Sequence, residues 1–255
     1  MLLVELALGF AVGCVISVVT SPIGVSGAMF LLPVQLSVLG VPSPAVTPTN
    51  LLFNVVAVPG ALERYRRLGT APSPLTRRLL LGTVPGVVVG AIVRVLVLPG
   101  DTAFRLVVAA VLAPLGAWLI TNRGVSNRRL SPPAVTAMAA GAGLIGGVYG
   151  LGGGSLLAPV LVGSGYLVSD VAAATLRATW VTSLAGAAVY AAIEATTGAA
   201  AGPVWHLGLA FGLGGLVGGF VGAALQRQLP QSSLRRLLGA AAVLLAVGYL
   251  WSAVR

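Results

Sequence analysis

The chain has 255 residues, 57% hydrophobic and only 8% charged, against roughly 25% charged in an ordinary soluble domain. That composition excludes a soluble globular protein and places the chain in a bilayer, with no length left over for a soluble second domain. The formal charge of +10 comes from fifteen arginines without a lysine, set against five acids.

The first apolar stretch, Leu2 to Ser21, lacks a basic start and carries Glu5, so it reads as a retained helix rather than a signal peptide. It holds the single cysteine, Cys14, which can form no internal disulfide and reads as a packed thiol. Next comes TSPIGVSGAMFLLP (20–33), where glycine and proline interrupt the apolar run. A short segment at about 27–40 and a polar-striped one at 44–62 follow. The stretch ERYRRLGTAPSPLTRR (63–78) holds five arginines and reads as a cytoplasmic loop. Two apolar runs of spanning length, 79–98 and 103–121, are joined by the turn PGDT and lead to a second basic loop, 122–133.

The second half repeats the order. Its break is VYGLGGGSLLAP (148–159), followed by a short segment at 154–166, a polar-striped one at 170–195, and the runs 205–226 and 234–253. The stretch TTGAAAGPVWH has neither arginine nor acid and reads as external. Arg64, Arg66, Arg67, Arg77, Arg78, Arg123, Arg128 and Arg129 all fall in the two basic loops. There the positive-inside rule and anionic headgroups explain them, and nucleic acid is excluded as a partner. This bookkeeping puts both termini outside the cell membrane.

The halves 1–130 and 131–255 match at an offset of 126: Gly24 with Gly150, Gly27 with Gly153, Leu31 with Leu157, Pro33 with Pro159, Thr49 with Thr175 and Gly60 with Gly186. At an offset of 132, Gly82, Gly86 and Gly90 match Gly214, Gly218 and Gly222. Each triplet is a GxxxGxxxG ridge of the kind that lets helix backbones approach closely in lipid. The segment ending near Glu63 finishes inside, whereas its counterpart ending near Glu194 finishes outside. The expected fold is therefore an all-α polytopic membrane protein made of two inverted-topology repeats, about five helical segments each, with glycine-rich broken or re-entrant helices. Together they form one transmembrane domain, and such repeats with paired interruptions characterise secondary transporters.

Breaking a helix inside hydrocarbon frees backbone N–H groups that must be paired. A half-helix starting at Gly27 or Gly153 would aim its amides and dipole into the bundle, an arrangement that binds oxyanions. The candidate substrate-binding residues are Ser26, Gly27, Asn50 and Asn54 in the first half, with Gly152, Gly153, Gly154, Ser155, Thr175, Arg177 and Thr179 in the second. Thr175, Thr179 and Thr182 share a helix face with Ser183 beside it, a stripe that equally suits interhelical hydrogen bonds. Arg177 is the natural counter-charge for an anion, although it lies about 200° around the helix from Thr175 and Thr179 and is long enough to snorkel. Arg94 reads as a snorkelling anchor. Glu5, Glu63, Asp101, Asp170 and Glu194 fall near predicted helix ends, Asp170 as an N-cap, which argues for an anionic rather than a cationic substrate. Trp118, Trp180, Trp205 and Trp251 read as packing or an aromatic belt.

The repeated glycine break, aliphatic run and proline, with AxxT near the next helix and SLAGA at 183–187, resembles the sulfite exporter TauE/SafE family of membrane permeases. The likeness spans nearly the whole chain and is closer in the second half; in the first, GVSGA stands in place of GxGGG, and Met29 stands where Ser155 stands. The resemblance implies a permease for a small anion, a sulfur-containing oxyanion such as sulfite or an organosulfonate. Neither a nucleotide-binding loop nor a metal-ligand cluster is present, so no cofactor, metal or enzymatic activity is expected. Membrane lipids are the other expected partners, with a homo-oligomer left open. Two alternatives stand beside this reading. GVSG (24–27) and WHLG (205–208) resemble the serine and histidine pieces of rhomboid intramembrane proteases, with Ser26 as nucleophile and His206 as base. The other alternative is a non-transporting membrane scaffold.

Overall fold

The computed structural model describes residues 2–37, 39–41, 43–96, 109, 110, 113, 114, 116–118, 120, 121, 130–197 and 202–254. Asp101, the PGDT turn, most of the run 103–121 and the arginines of the second basic loop lie outside these residues. The described chain is helical, without strands. Helix α1 (Leu2–Thr20) runs into a 3-10 turn (Ser21–Ile23), and α2 (Ala28–Ser37), α3 (Ser43–Arg67) and α4 (Pro74–Leu96) follow. Then come α5 (Pro132–Tyr149), α6 (Gly153–Gly163), α7 (Val168–Thr197), α8 (Trp205–Leu225) and α9 (Gln231–Val254). Among the described residues, five segments are long and apolar enough to cross a membrane: Leu3–Ile23, Ala45–Arg67, Pro74–Val95, Val168–Thr196 and Trp205–Leu225. The chain is a multi-pass membrane protein.

Glycine sets the helix packing. A Cβ on Gly82, Gly86 or Gly90 would overlap the carbonyl oxygens of Thr136, Ala140 and Leu144 in turn, so α4 and α5 touch backbone to backbone and run parallel. On the other side of the bundle, Gly214, Gly218 and Gly222 meet the carbonyls of Phe10, Cys14 and Val18, making α8 parallel to α1 in the same way. These contacts keep the sequence offsets: Phe10, Cys14 and Val18 plus 126 are Thr136, Ala140 and Leu144. Such close approach admits Cα–H···O contacts along each ridge. The pairing is also exchanged, because the fourth helix of each half lies on the first helix of the other.

Directions follow from the remaining contacts. Leu52, Val56 and Gly60 of α3 meet Gly208, Gly212 and Leu216 of α8 in order, so these two helices run parallel. Helix α7 opposes α3, since Trp180 reaches Val55 while Gly186 reaches Leu51. It runs with α4, because Gly186 meets Val87 and Tyr190 clusters with Ala91. Thus α1, α3 and α8 point one way and α4, α5 and α7 the other. The part of 103–121 that is described lies against α9, where a Cβ on Gly116 would stand 2.7 Å from the Gly239 carbonyl oxygen.

Three sequence expectations need correction. The expected loop 63–78 is helical at both ends, Glu63–Arg67 closing α3 and Pro74–Arg78 opening α4; Glu63 bridges Arg66 and Arg67 at i, i+3 and i, i+4, and arginines in a last turn suit the helix dipole. Asp170 is not an N-cap, because α7 starts two residues earlier and leaves it in the first turn. Arg94 does not snorkel: it is buried, with its guanidinium 5.9 Å from the centroid of the Tyr149 ring.

Candidate functional site

Each break begins with a glycine in the left-handed region, Gly24 at φ +74° and Gly150 at φ +68°, the usual conformation of a helix C-terminal cap. Neither position has room for a side chain. A Cβ on Gly24 would press into Ala172, and one on Gly150 would stand 2.9 Å from the Asn50 Cβ. Helix α5 and the 3-10 turn after α1 therefore stop at these glycines inside the bundle, and α2 and α6 start a few residues later.

The carbonyls released by the breaks find donors, as lipid requires. At the end of α5, the Tyr190 hydroxyl donates to Gly147 O (3.1 Å) and Thr47 Oγ1 to Val148 O (3.0 Å). Asn50 Nδ2 donates to Tyr149 O (3.5 Å) and Asn54 Nδ2 to Gly150 O (3.3 Å). Thr47, Asn50 and Asn54 lie on one stripe of α3, which is why a single helix can reach three successive positions. At the end of α1, the Tyr65 hydroxyl donates to Ser21 O (3.0 Å), Gln226 Nε2 to Pro22 O (2.7 Å) and Thr175 Oγ1 to Gly24 O (2.7 Å). Proline inside α3 frees one more carbonyl, since Pro59 has no N–H for Val55 O; Trp180 Nε1 donates to it at 3.1 Å.

The amides are treated differently. The Ser26 N–H donates to Ser155 Oγ (2.9 Å), and the Ala28 N–H donates to Ser26 Oγ (3.2 Å). Ser155 Oγ lies 3.1 Å from Thr179 Oγ1, and Ser26 Oγ donates to Asn54 Oδ1. Among the described residues, the N–H groups of Gly27, Gly152, Gly153 and Gly154 meet no acceptor. The two breaks thus touch through Ser26 and Ser155, with donors left at the start of both short helices.

The space beside them is small. A cavity of about 10 Å³ lies among Ser17, Ser21, Ser26, Gly27 and Phe53, room for about one water. The first turn of α6 is held tightly as well: a Cβ on Gly153 would stand 2.8 Å from Gly143 Cα, and one on Gly154 would overlap Thr175 O.

Ten of the eleven candidate residues gather at this junction. Arg177 is the exception, since its guanidinium donates to Thr70 O and Ala71 O in the loop between α3 and α4. Among the described residues, Thr182 donates only within its own helix, to Ala178 O and Thr179 O, and the buried Ser183 Oγ meets no partner. His206 is exposed at the start of α8. Gly215, which shares the small cavity with Ser26, lies nine residues (206 to 215) or about 13 Å farther along that helix, so Ser26 has no histidine base within reach.

The residues missed by sequence reasoning are Gln35, Thr47, Tyr65, Tyr190, Gln226 and Arg94. Gln35 Nε2 donates to Asn50 Oδ1 (2.7 Å), while its own buried Oε1 meets no partner among the described residues. Arg94 and Gln226 stand at the 132 offset, and each sits where a break turns. A polar residue in an otherwise apolar run was the available signal for Gln35 and Gln226.

A polytopic helical bundle in which two interrupted helices meet and leave backbone donors inward has the build of a membrane permease. The family is the sulfite exporter TauE/SafE family, to which the chain belongs: its family model matches residues 9–249. No curated protein and no solved structure matches the chain.

Proposed function

We propose that the chain is a secondary permease for a small sulfur-containing oxyanion, bound between the two breaks of its inverted-topology repeats, 1–130 and 131–255, and passed by alternating exposure of that site to the two sides of the membrane. One observation carries the reading. Side chains cap the carbonyls at both breaks, whereas the amides of Gly27, Gly152, Gly153 and Gly154 meet no acceptor among the described residues. Donors without acceptors in a buried place attract an oxyanion, and the starts of α2 and α6 add the positive ends of their dipoles. Ser26, Ser155 and Thr179 supply hydroxyls, Asn50 and Asn54 hold the second break in place, and Thr175 holds the first.

The inverted arrangement is supported by ridge contacts that recur at offsets 126 and 132 while matched helices point in opposite directions. In the described conformation the junction admits little more than a water, which fits an occluded state from which either break must part to admit substrate. The arginine-rich end, where α3 finishes and α4 and α7 begin, faces the cytoplasm of a cell membrane under the positive-inside rule, with both termini on the other side.

The test is counterflow of radiolabelled sulfite in proteoliposomes, with an aryl or alkyl sulfonate as competing anion. Saturable exchange that Gly154→Leu removes in correctly inserted protein is expected. Exchange that survives this substitution overturns the amide site, and no exchange of sulfite, sulfonate, thiosulfate or sulfate overturns the permease.

A further inference from the structure

A second concavity lies away from the breaks, at the arginine-rich end of the bundle. It is an open groove of about 630 Å³ between the outer face of α3, the loop after it and the first half of α7, from which Arg177 and Trp180 reach it. Its walls are mainly apolar, including Pro59, Leu62 and Trp180, and its rim carries Arg66 and Arg177. The core-facing side of α3 here is Val58, Ala61 and Tyr65, so the groove opens on the other side, toward the surroundings of the bundle.

Its charge is unbalanced. Glu63 lies between Arg66 and Arg67, 2.8 Å from the Nε of each. The groove itself is lined by two guanidinium groups, Arg66 and Arg177, against that one carboxylate, which Arg67 shares from outside it. Arg177 meets only the carbonyls of Thr70 and Ala71 among the described residues, which orients the group without neutralising it. An apolar slot with cationic groups at its rim, at the end of a membrane bundle, matches a phospholipid: acyl chain against Pro59 and Leu62, anionic phosphate at the arginines. A free anion would gain nothing from the apolar walls.

We infer that this groove is a binding site for an anionic phospholipid of the arginine-side leaflet, with Arg66 and Arg177 on its phosphate and Trp180 beside its upper acyl chain. The site holds whether or not the chain carries an anion, so its test stands apart from transport. Trp180 fluorescence, taken as the difference between the wild-type chain and Trp180→Phe, is measured in phosphatidylcholine vesicles doped with brominated-chain phosphatidylglycerol or brominated-chain phosphatidylcholine. Quenching by the phosphatidylglycerol is expected at about fivefold lower mole fraction for each arginine engaged. Arg66→Gln, at an exposed position, reduces the preference by one such factor, and Arg66→Gln with Arg177→Gln removes it. Equal quenching by the two lipids overturns the proposal, as does a preference that persists in the double variant. Relief of quenching by inorganic phosphate overturns it in favour of a soluble anion. Failure of both lipids to quench, with Leu62→Cys cross-linking copy to copy, overturns it in favour of a second protein chain.

Discussion

Replacing Gly86 or Gly218 by alanine tests the ridge packing on which the bundle rests. A Cβ on Gly86 stands 2.8 Å from the Leu144 nitrogen and closer to Ala140 O; one on Gly218 stands 2.8 Å from the Cys14 carbonyl carbon and closer to its oxygen. Ordinary van der Waals contact begins at 3.4 Å, so each pair must separate by about 1 Å, a gap that forfeits a quarter to a half of the local dispersion well. Overpacking strain of about 1–3 kcal/mol and two weakened Cα–H···O contacts worth about 1–2 kcal/mol together give about 2–5 kcal/mol. The controls are Gly141→Ala and Gly248→Ala, where nothing lies within 4 Å of the added carbon. All four substitutions share the same gain in helix propensity, so the difference between the sets isolates the packing. At about 2–4 °C per kcal/mol for a chain of this size, Gly86→Ala and Gly218→Ala melt roughly 4–20 °C below the controls when purified in detergent and followed by tryptophan emission. Equal melting temperatures across the four would refute the backbone-contact reasoning.

Further outcomes follow from the breaks. Gly153→Leu, whose side chain meets Gly143 and Thr83, abolishes sulfite counterflow while surface labelling still shows insertion. Asn54→Leu strips the partner from Gly150 O and from Ser26 Oγ, and thermal unfolding shows a loss of about 1–3 kcal/mol for each group left unpaired. Trp180→Phe keeps the ring but leaves Val55 O without its donor, a loss of about 1–3 kcal/mol by the same measurement. His206→Ala leaves counterflow unchanged, and fluorophosphonate labels neither that variant nor the wild-type chain; labelling lost in Ser26→Ala would reinstate the hydrolase reading.

The position of each break was legible because glycine and proline interrupt long apolar runs there, and the helical segments end at Gly24 and Gly150 as those residues permit. The glycine ridges were legible for the same reason, since four-residue spacing places small residues on one helix face whatever the partner. What the pattern could not convey is which partner: exchange of the fourth helices between halves is a tertiary choice that spacing leaves open. Sequence also could not separate Arg94 from Arg177, as both sit within apolar helices and a long side chain reaches inward or outward equally well. Arg94 lies over Tyr149 and Arg177 on the loop carbonyls of Thr70 and Ala71, because α4 ends beside one break whereas α7 begins at the arginine-rich end. The capping stripe of α3 was visible as Asn50 and Asn54 alone; Thr47 joins it only once α5 ends against that face.

The exchanged helices bear on which parts can move. Because α8 is locked to α1 and α3 by glycine contacts, and α4 to α5 in the same manner, a rocking motion that keeps these seams intact cannot divide the chain at residue 130. It divides α1, α3 and α8 from α4, α5 and α7, and the seam that slides is the one between α3 and α7, where Leu51 meets Gly186 and the breaks join through Ser26 and Ser155. Cross-linking separates the two cases in a Cys14→Ser background. A disulfide between Ala61→Cys and Gly219→Cys, where the Cβ positions lie 3.4 Å apart, near the separation a disulfide needs, joins α3 to α8 and leaves counterflow intact. A short thiol linker between Leu51→Cys and Gly186→Cys joins α3 to α7 and stops it. The reverse pattern would mean that the halves move as sequence blocks and that the glycine seams open in every cycle, which backbone contacts this close make costly.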